Sequence, residues 1–382
     1  MIRNHCKLSL YLHAVRLLPV VGVLLLAACS ADAPPVAPPS DGPLHLSLRL
    51  QVPEQMTVST RAAVTPTLKG IEIKNVRAIQ FGTNNTANKY YSDADGTGNW
   101  FKVENESGLV VIATGESDFL NETGNIYIIV NGGDTDASLT KTDMTENDLQ
   151  TAALSLTGFS TAGEPQLLVY GPVKFTAQSG SVKPVAMLAR MKRAYAKVTV
   201  DYTVHPGVSI TSVEVQNMPP AIYPFTAAGS TTPRNNTYRT EVLGSTETAA
   251  PLPASFTFYM PENLRGNGSA TTEKDKNRTE YGPKETVSGS PVDCLDYCTC
   301  IVLKGTYSYP DVTGTDPISV EYRFYLGSDM VQNYDVERGK HYQLTVDLLG
   351  ANSADARVTI TDSNVFAVAD PDNVDHTDDI IF

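Results

Sequence analysis

The sequence predicts an all-β protein, built as two antiparallel β-sandwiches in tandem with one or two short helices. Three observations carry that expectation. Segments of alternating or uninterrupted apolar residues recur along the body, separated by clusters of Gly, Asn, Asp and Pro. Tyr (18) outnumbers Phe (11), and Gly (27) and Pro (24) are plentiful, a mixture that favours strands and turns over helices. Hydrophobic residues make up 41% and charged residues 19%, which excludes a disordered polyelectrolyte and a coiled coil. The 382 residues suffice for two ordinary domains. Their balance is acidic, with 29 Lys and Arg against 42 Asp and Glu and a net charge of −13. Nucleic acid and anionic lipid headgroups are poor partners for such a chain.

Residues 1–28 read as a lipoprotein signal peptide. Arg3, Lys7 and Arg16 give a positive start, and Leu17 to Ala28 is an apolar stretch too short to span a bilayer comfortably. It ends Leu26-Ala27-Ala28-Cys29-Ser30, small residues before a Cys, which resembles a bacterial lipobox. Cleavage there would leave Cys29 as the first residue, carrying acyl chains. Residues 29–43 form a tether. Paired prolines at 34–35 and 38–39 favour extended polyproline II and forbid helix. An N-terminal sandwich is expected over 44–205 and a C-terminal one over 206–361, divided near His205-Pro206-Gly207. An acidic tail covers 362–382.

The first strand is Leu44 to Val52. Leu44, Leu46, Leu48, Leu50 and Val52 fall on one face, and His45, Ser47, Arg49 and Gln51 on the other. Burying five such side chains contributes about 10 kcal/mol before entropy, so this face must be covered. Arg61 follows in a Pro- and Thr-containing connector, with Ala62 after it, an accessible site for a trypsin-like protease. Cutting there would free strand 44–52. The remaining strands are expected at 71–81, 125–130, 166–170, 196–204, 210–215, 256–260, 300–307, 320–326, 342–348 and 357–360. One helix is expected after Thr145, where Asp148 completes a capping-box-like start and Leu149, Ala152 and Ala153 give a short apolar face.

Signals of chemistry are sparse. Asp93-Ala94-Asp95-Gly96-Thr97-Gly98 with Glu104 nearly fits a calcium loop. Its neighbours, Tyr90-Tyr91 and Trp100 to Val103, read as strands, so a β-hairpin turn is the better reading. Cys294, Cys298 and Cys300 have no standard zinc spacing and no nearby His. A disulfide from Cys294 to one of the others and buried free thiols both remain open. His45, His205, His341 and His376 are scattered, and no hydrolase or phosphate-binding motif is present, so no enzyme and no cofactor are expected. Arg190, Lys192, Arg193 and Lys197 form a basic cluster better suited to salt bridges than to a ligand.

Taken together, these stretches resemble the fimbrillins, the type V pilus subunits of Bacteroidales. The resemblance begins with Cys29, the alternating strand and Ser59-Thr60-Arg61-Ala62. It continues through Arg190 to Val200, Phe258 to Gly266, Tyr322 to Gly327 and Asn333 to Tyr342, the last three closest to minor or tip-type members. It implies transthyretin-like sandwiches and a lipoprotein precursor held in the outer membrane through Cys29. It also implies a trypsin-like protease cutting after Arg61, loss of strand 44–52, and assembly into a cell-surface fimbrium by donor-strand exchange. Other fimbrillin subunits are the implied partners, with a host or bacterial surface ligand at the tip. The tail, with Asp370, Asp372, Asp375, Asp378 and Asp379, lacks donor-strand alternation and favours a tip-side or minor subunit over a stalk repeat. The alternative is a monomeric surface lipoprotein that binds glycan or host protein with its first strand retained.

Overall fold

The computed structural model describes residues 46–51, 76–83, 87–93, 109–113, 123–132, 144–155, 164–176, 185–226, 238–247, 251–309, 316–351 and 353–362. All of them belong to one compact unit, residues 38–382. The first half contains β1 (Leu46–Gln51), β2 (Val76–Gly82), β3 (Ala87–Asp93), β4 (Leu109–Ala113), β5 (Gly124–Val130), α1 (Glu146–Thr151) and β6 (Leu154–Ser155). Then come β7 (Leu168–Phe175), β8 (Val185–Arg190), β9 (Lys192–Arg193) and β10 (Tyr195–Val204). The second half contains β11 (Val208–Met218), β12 (Ala221–Ile222), β13 (Arg239–Ser245), β14 (Ser255–Pro261), α2 (Glu273–Lys276), β15 (Lys284–Val287) and β16 (Ser290–Asp293). It ends with β17 (Cys300–Tyr307), β18 (Ile318–Tyr325), β19 (Lys340–Gly350) and β20 (Ser353–Asp362).

The protein is nearly all β. Four larger sheets have the orders β4-β1-β8, β3-β2-β5-β7-β9, β14-β10-β19-β20 and β13-β11-β17-β18. Two short ladders, β12-β6 and β15-β16, complete the set among the described residues. Most pairs are antiparallel. The two exceptions are β1 with β8 and β10 with β19, each joining segments far enough apart in sequence for the return crossover that a parallel pair requires.

The alternation read from the sequence sets the faces. In β19, Tyr342, Leu344, Val346 and Leu348 are buried while Gln343, Thr345 and Leu349 are exposed. The inward side chains meet Val198 and Val200 of β10, Val213 and Val215 of β11, Ile301 and Leu303 of β17, and Tyr322 and Phe324 of β18 in one core. β2 differs, because every one of its residues is buried. Ile79 and Phe81 join that same core beside Tyr127 and Ile129 of β5. Val76 and Ala78, with Ile126 and Ile128, are buried on the opposite side. Gly124 is required where β5 meets β2, since a Cβ there would lie 1.8 Å from the Phe81 carbonyl oxygen.

The expected helix forms, and its capping box is complete. The Asp148 amide donates to Thr145 Oγ1 (3.1 Å) and the Thr145 amide donates to Asp148 Oδ2 (2.9 Å). Such a cap is worth about 1 kcal/mol. Leu149 is fully buried beneath it, whereas Ala153 faces solvent.

β10 departs from the expected division. It lies between β14 and β19, so the turn at His205-Pro206-Gly207 separates two strands of the same sandwich. The Val208 amide closes that turn on the His205 carbonyl (3.1 Å), and Gly207 takes a positive φ of 91°. The change from the first group of sheets to the second comes before Tyr195. A corner between sheets and a linker between domains use the same Pro and Gly punctuation.

Candidate strand-exchange site

The segment 44–52 is the residue set that both its alternation and the downstream Arg61 single out. Its described part is β1, Leu46 to Gln51; Leu44 and Val52 lie outside the described residues, as do Cys29, Arg61 and Ala62. β1 is the central strand of its sheet. On one side it pairs antiparallel with β4, from Ser47 opposite Ala113 to Gln51 opposite Leu109. On the other it pairs parallel with β8, from Leu46 opposite Val185 to Gln51 opposite Arg190. Leu50 is 0% exposed. Among the described residues, β4 has no strand partner but β1, and β8 none but β1. Removing β1 therefore uncovers two strand edges at once. Unpaired amides and carbonyls on such edges attract another strand.

Residues just beyond β8 anchor one wall of this gap. Within twenty residues the chain passes from β8, through β9 at the end of the five-stranded sheet, to β10 in the next sandwich. Arg193 of β9 is buried and its Nε donates to Glu164 Oε1 (2.6 Å). Tyr195 Oη donates to the same carboxylate oxygen (2.8 Å). Burial, reinforced by the Glu164 carboxylate, raises the Tyr195 hydroxyl pKa well above its ordinary value. Burial also lowers the Lys197 ammonium pKa, opposed by Glu164 and reinforced by Arg193. Two members of the basic cluster thus answer to Glu164, a residue the sequence reading did not single out. Lys192 is exposed.

The other chemical signals resolve differently. Cys294, Cys298 and Cys300 are free thiols, all fully buried. Cys298 and Cys300 pack with Val302, Tyr325 and Tyr334 in a small second core on the outer side of β17. Burial raises Cys298 well above the usual thiol range and Cys300 to about 12, so both stay protonated and inert. His205 pairs with Asp347 at 3.0 Å, and His341 Nε2 shares a hydrogen bond with Thr199 Oγ1 (2.9 Å). Asp93 ends β3, while residues 94–104 of the calcium-like loop lie outside the described residues. Among the described residues, no group of three His, Cys, Asp or Glu side chains converges as a metal site, and no helix is long and apolar enough to cross a membrane.

Residues 258–346 match the family model of a domain of unknown function, DUF4906. No curated protein matches the chain. Among solved structures, a candidate cell adhesion protein from Parabacteroides distasonis ATCC 8503 is similar with a TM-score of 0.51 at 13% identity, covering 84% of this chain and 98% of that one. The tip fimbrial protein Mfa3 from Porphyromonas gingivalis, with a C-terminal truncation, gives 0.45 at 11% identity over 83% and 99% of the two chains. The fimbrilin FimA from Porphyromonas gingivalis W83 gives 0.47 at 10% over 86% and 99%. These are fimbrial and adhesion proteins of the group that the sequence resembles. At such identities the likeness establishes the fold, and the Parabacteroides structure carries it.

Proposed function

We propose that the chain is a subunit of a cell-surface fimbrium, exported as a lipoprotein acylated on Cys29, matured by cleavage after Arg61 and assembled by strand exchange at the position of β1. The observation that carries this reading is the place of β1. It is the first described strand, it lies in the middle of a sheet, and its two neighbours are otherwise unpaired among the described residues. Arg61 lies between β1 and β2, so a cut there severs the covalent link from β1 to the body and leaves it held by pairing and packing alone. A segment of a neighbouring subunit that takes its place would run parallel to β8 and antiparallel to β4. It would bury alternate apolar side chains where Leu50 now sits. The tail after β20 carries too many carboxylates for such a donor, which favours a tip-side or minor position.

The test is Arg61→Ala combined with the N-terminal residue of the surface protein. The wild-type fimbrial subunit is expected to begin at Ala62. The variant is expected to retain acylated Cys29, fold normally and remain unassembled. Fimbriae that contain the variant with strand 44–52 still attached would refute the exchange.

A further inference from the structure

β20 ends its sheet, and among the described residues no strand pairs with its outer edge. That edge is regular. β20 pairs with β19 without a register shift from Leu348 opposite Ala354 to Lys340 opposite Asp362. β13, at the end of the other sheet of this core, instead carries two shifts of the kind that blunt an edge. The direction of the β20 backbone follows from its neighbours. The Leu348 carbonyl accepts from the amide of His205, the residue directly after β10 (3.0 Å). The backbone groups of Leu348 therefore point to β10, and those of its antiparallel partner Ala354 point away from β19. Every second residue repeats this. Ala354, Ala356, Val358 and Ile360 thus offer their N–H and C=O groups along the outer edge.

The side chains divide by the same alternation. Ala356 is buried in the core, and Ala354, Val358 and Ile360 are only partly buried against it. Asp355, Arg357 and Thr359 occupy the solvent side. Arg357 Nη2 pairs with Asp355 Oδ2 at 3.0 Å, and the two side chains are 79% and 47% exposed, so both charges are open to a further partner.

We propose that this edge pairs with the same edge of a second copy, antiparallel about a twofold axis at Ala356. Charge complementarity selects that occupant and that register. With the axis at Ala356, each Asp355 lies opposite Arg357 of the second copy. These are non-hydrogen-bonded pairs, in which opposed side chains come closest, so two cross-copy ion pairs join the two that each chain already makes. Axes at Asp355 or at Arg357 set like charges opposite each other, and one at Val358 leaves both charges against threonines. The backbone agrees with the choice. Ala356 meets Ala356, and Ala354 meets Val358, as hydrogen-bonded pairs built from the groups that face outward. The inward row of the second copy then extends the partly buried row of Ala354 and Val358. A single strand edge buries less than the ~800 Å² per partner of a standard interface, so the pairing is weak and reversible. It is also closed: a twofold contact joins two copies and stops, whereas the exchange at β1 is head-to-tail. It uses no residue of β1, β4 or β8.

The experiment is sedimentation velocity on the full chain carrying Cys29→Ala, so that no acyl chain drives association, from about 10 μM to about 1 mM. Two further variants are made in that background: Arg357→Asp, and the exchange Asp355→Arg with Arg357→Asp. Both positions are on the solvent side of β20, and circular dichroism checks that each variant folds. A monomer–dimer equilibrium is expected. Arg357→Asp turns both cross-copy attractions into repulsions and should raise the dimer Kd roughly tenfold. The exchanged variant has the net charge of the parent chain and the same pairs in reverse, so it should restore the parent Kd. A monomer at every concentration overturns the proposal, as does a dimer that Arg357→Asp leaves intact or an exchanged variant as weak as the single one. Dimerisation that appears only on truncation after Asp362 overturns it as well, by assigning the edge to residues 363–382.

Discussion

Leu50→Ala separates a strand that leaves from a strand that stays. In the precursor Leu50 is fully buried on the central strand of its sheet. Truncating a buried leucine removes its transfer free energy and leaves a cavity, together about 3 kcal/mol. Against a typical total of 5–15 kcal/mol, the variant still folds but unfolds at visibly lower denaturant. If β1 is exchanged as proposed, the position in the fimbria belongs to a segment from another subunit. The same substitution then changes nothing, because the altered residue has been cut away. Ile128→Ala on β5 supplies the comparison: Ile128 is equally buried but remains in the body, so it should weaken precursor and fimbria alike. The assay is urea unfolding of purified precursor beside urea dissociation of purified fimbriae, for wild type and both variants. Fimbriae that lose as much stability from Leu50→Ala as the precursor does would mean that β1 is retained, and strand exchange would be wrong.

Three further outcomes follow from the same residues. Cys29→Ala should shift the protein from the membrane to the soluble fraction, and unchanged fractionation would count against acylation there. Burial, with Lys197 nearby, lowers the His341 pKa from 6.5 to about 4, so the unfolded chain takes up the proton first. The stability from the neutral ring is therefore whole above about pH 6.5 and falls as the pH drops towards 4; His341→Gln should flatten that part of the profile, and identical pH profiles would exclude the effect. Truncation after Thr361 spares all of β20 but its last residue, so the shortened protein should still join fimbriae, whereas arrested growth would overturn the tip-side position.

β19 was legible because one face is buried and the other is wet, and β5 and β17 because a continuous apolar run marks a strand buried on both faces. β17 spans the same residues, 300–307, that its apolar pattern indicates, and β1, β5, β14 and β19 agree to within a few residues. The helix at Thr145 was legible for a different reason, since a capping box is a local bond pattern that needs no tertiary partner. β13, β15 and β16 escaped notice. β15 and β16 form a ladder of their own whose residues are mostly exposed, so no burial imposes a pattern on them. The switch of β10 into the second sandwich was not legible either. Val198 and Val200 alternate as a core strand must, but alternation does not say which core.

The walls of the proposed site were the least legible part, and the reason bears on how such a site works. β4 reads Leu-Val-Val-Ile-Ala and β8 reads Val-Ala-Met-Leu-Ala-Arg, short apolar runs without the alternation that marks β1. Nothing local distinguishes them from any other short apolar segment, and only the register shows that both pair with β1. That dependence gives the arrangement its direction. If β4 and β8 paired with each other or with further strands, loss of β1 would cost one strand and leave a smaller closed sheet. Here, among the described residues, it costs every pairing of both walls, so the cut body has more to gain from any strand that enters than from remaining open. While β1 remains covalently attached, its local concentration at the gap far exceeds that of any competing segment. A cut at Arg61 would remove that advantage from the body's side. An incoming strand then has to match only two edges and one row of apolar positions.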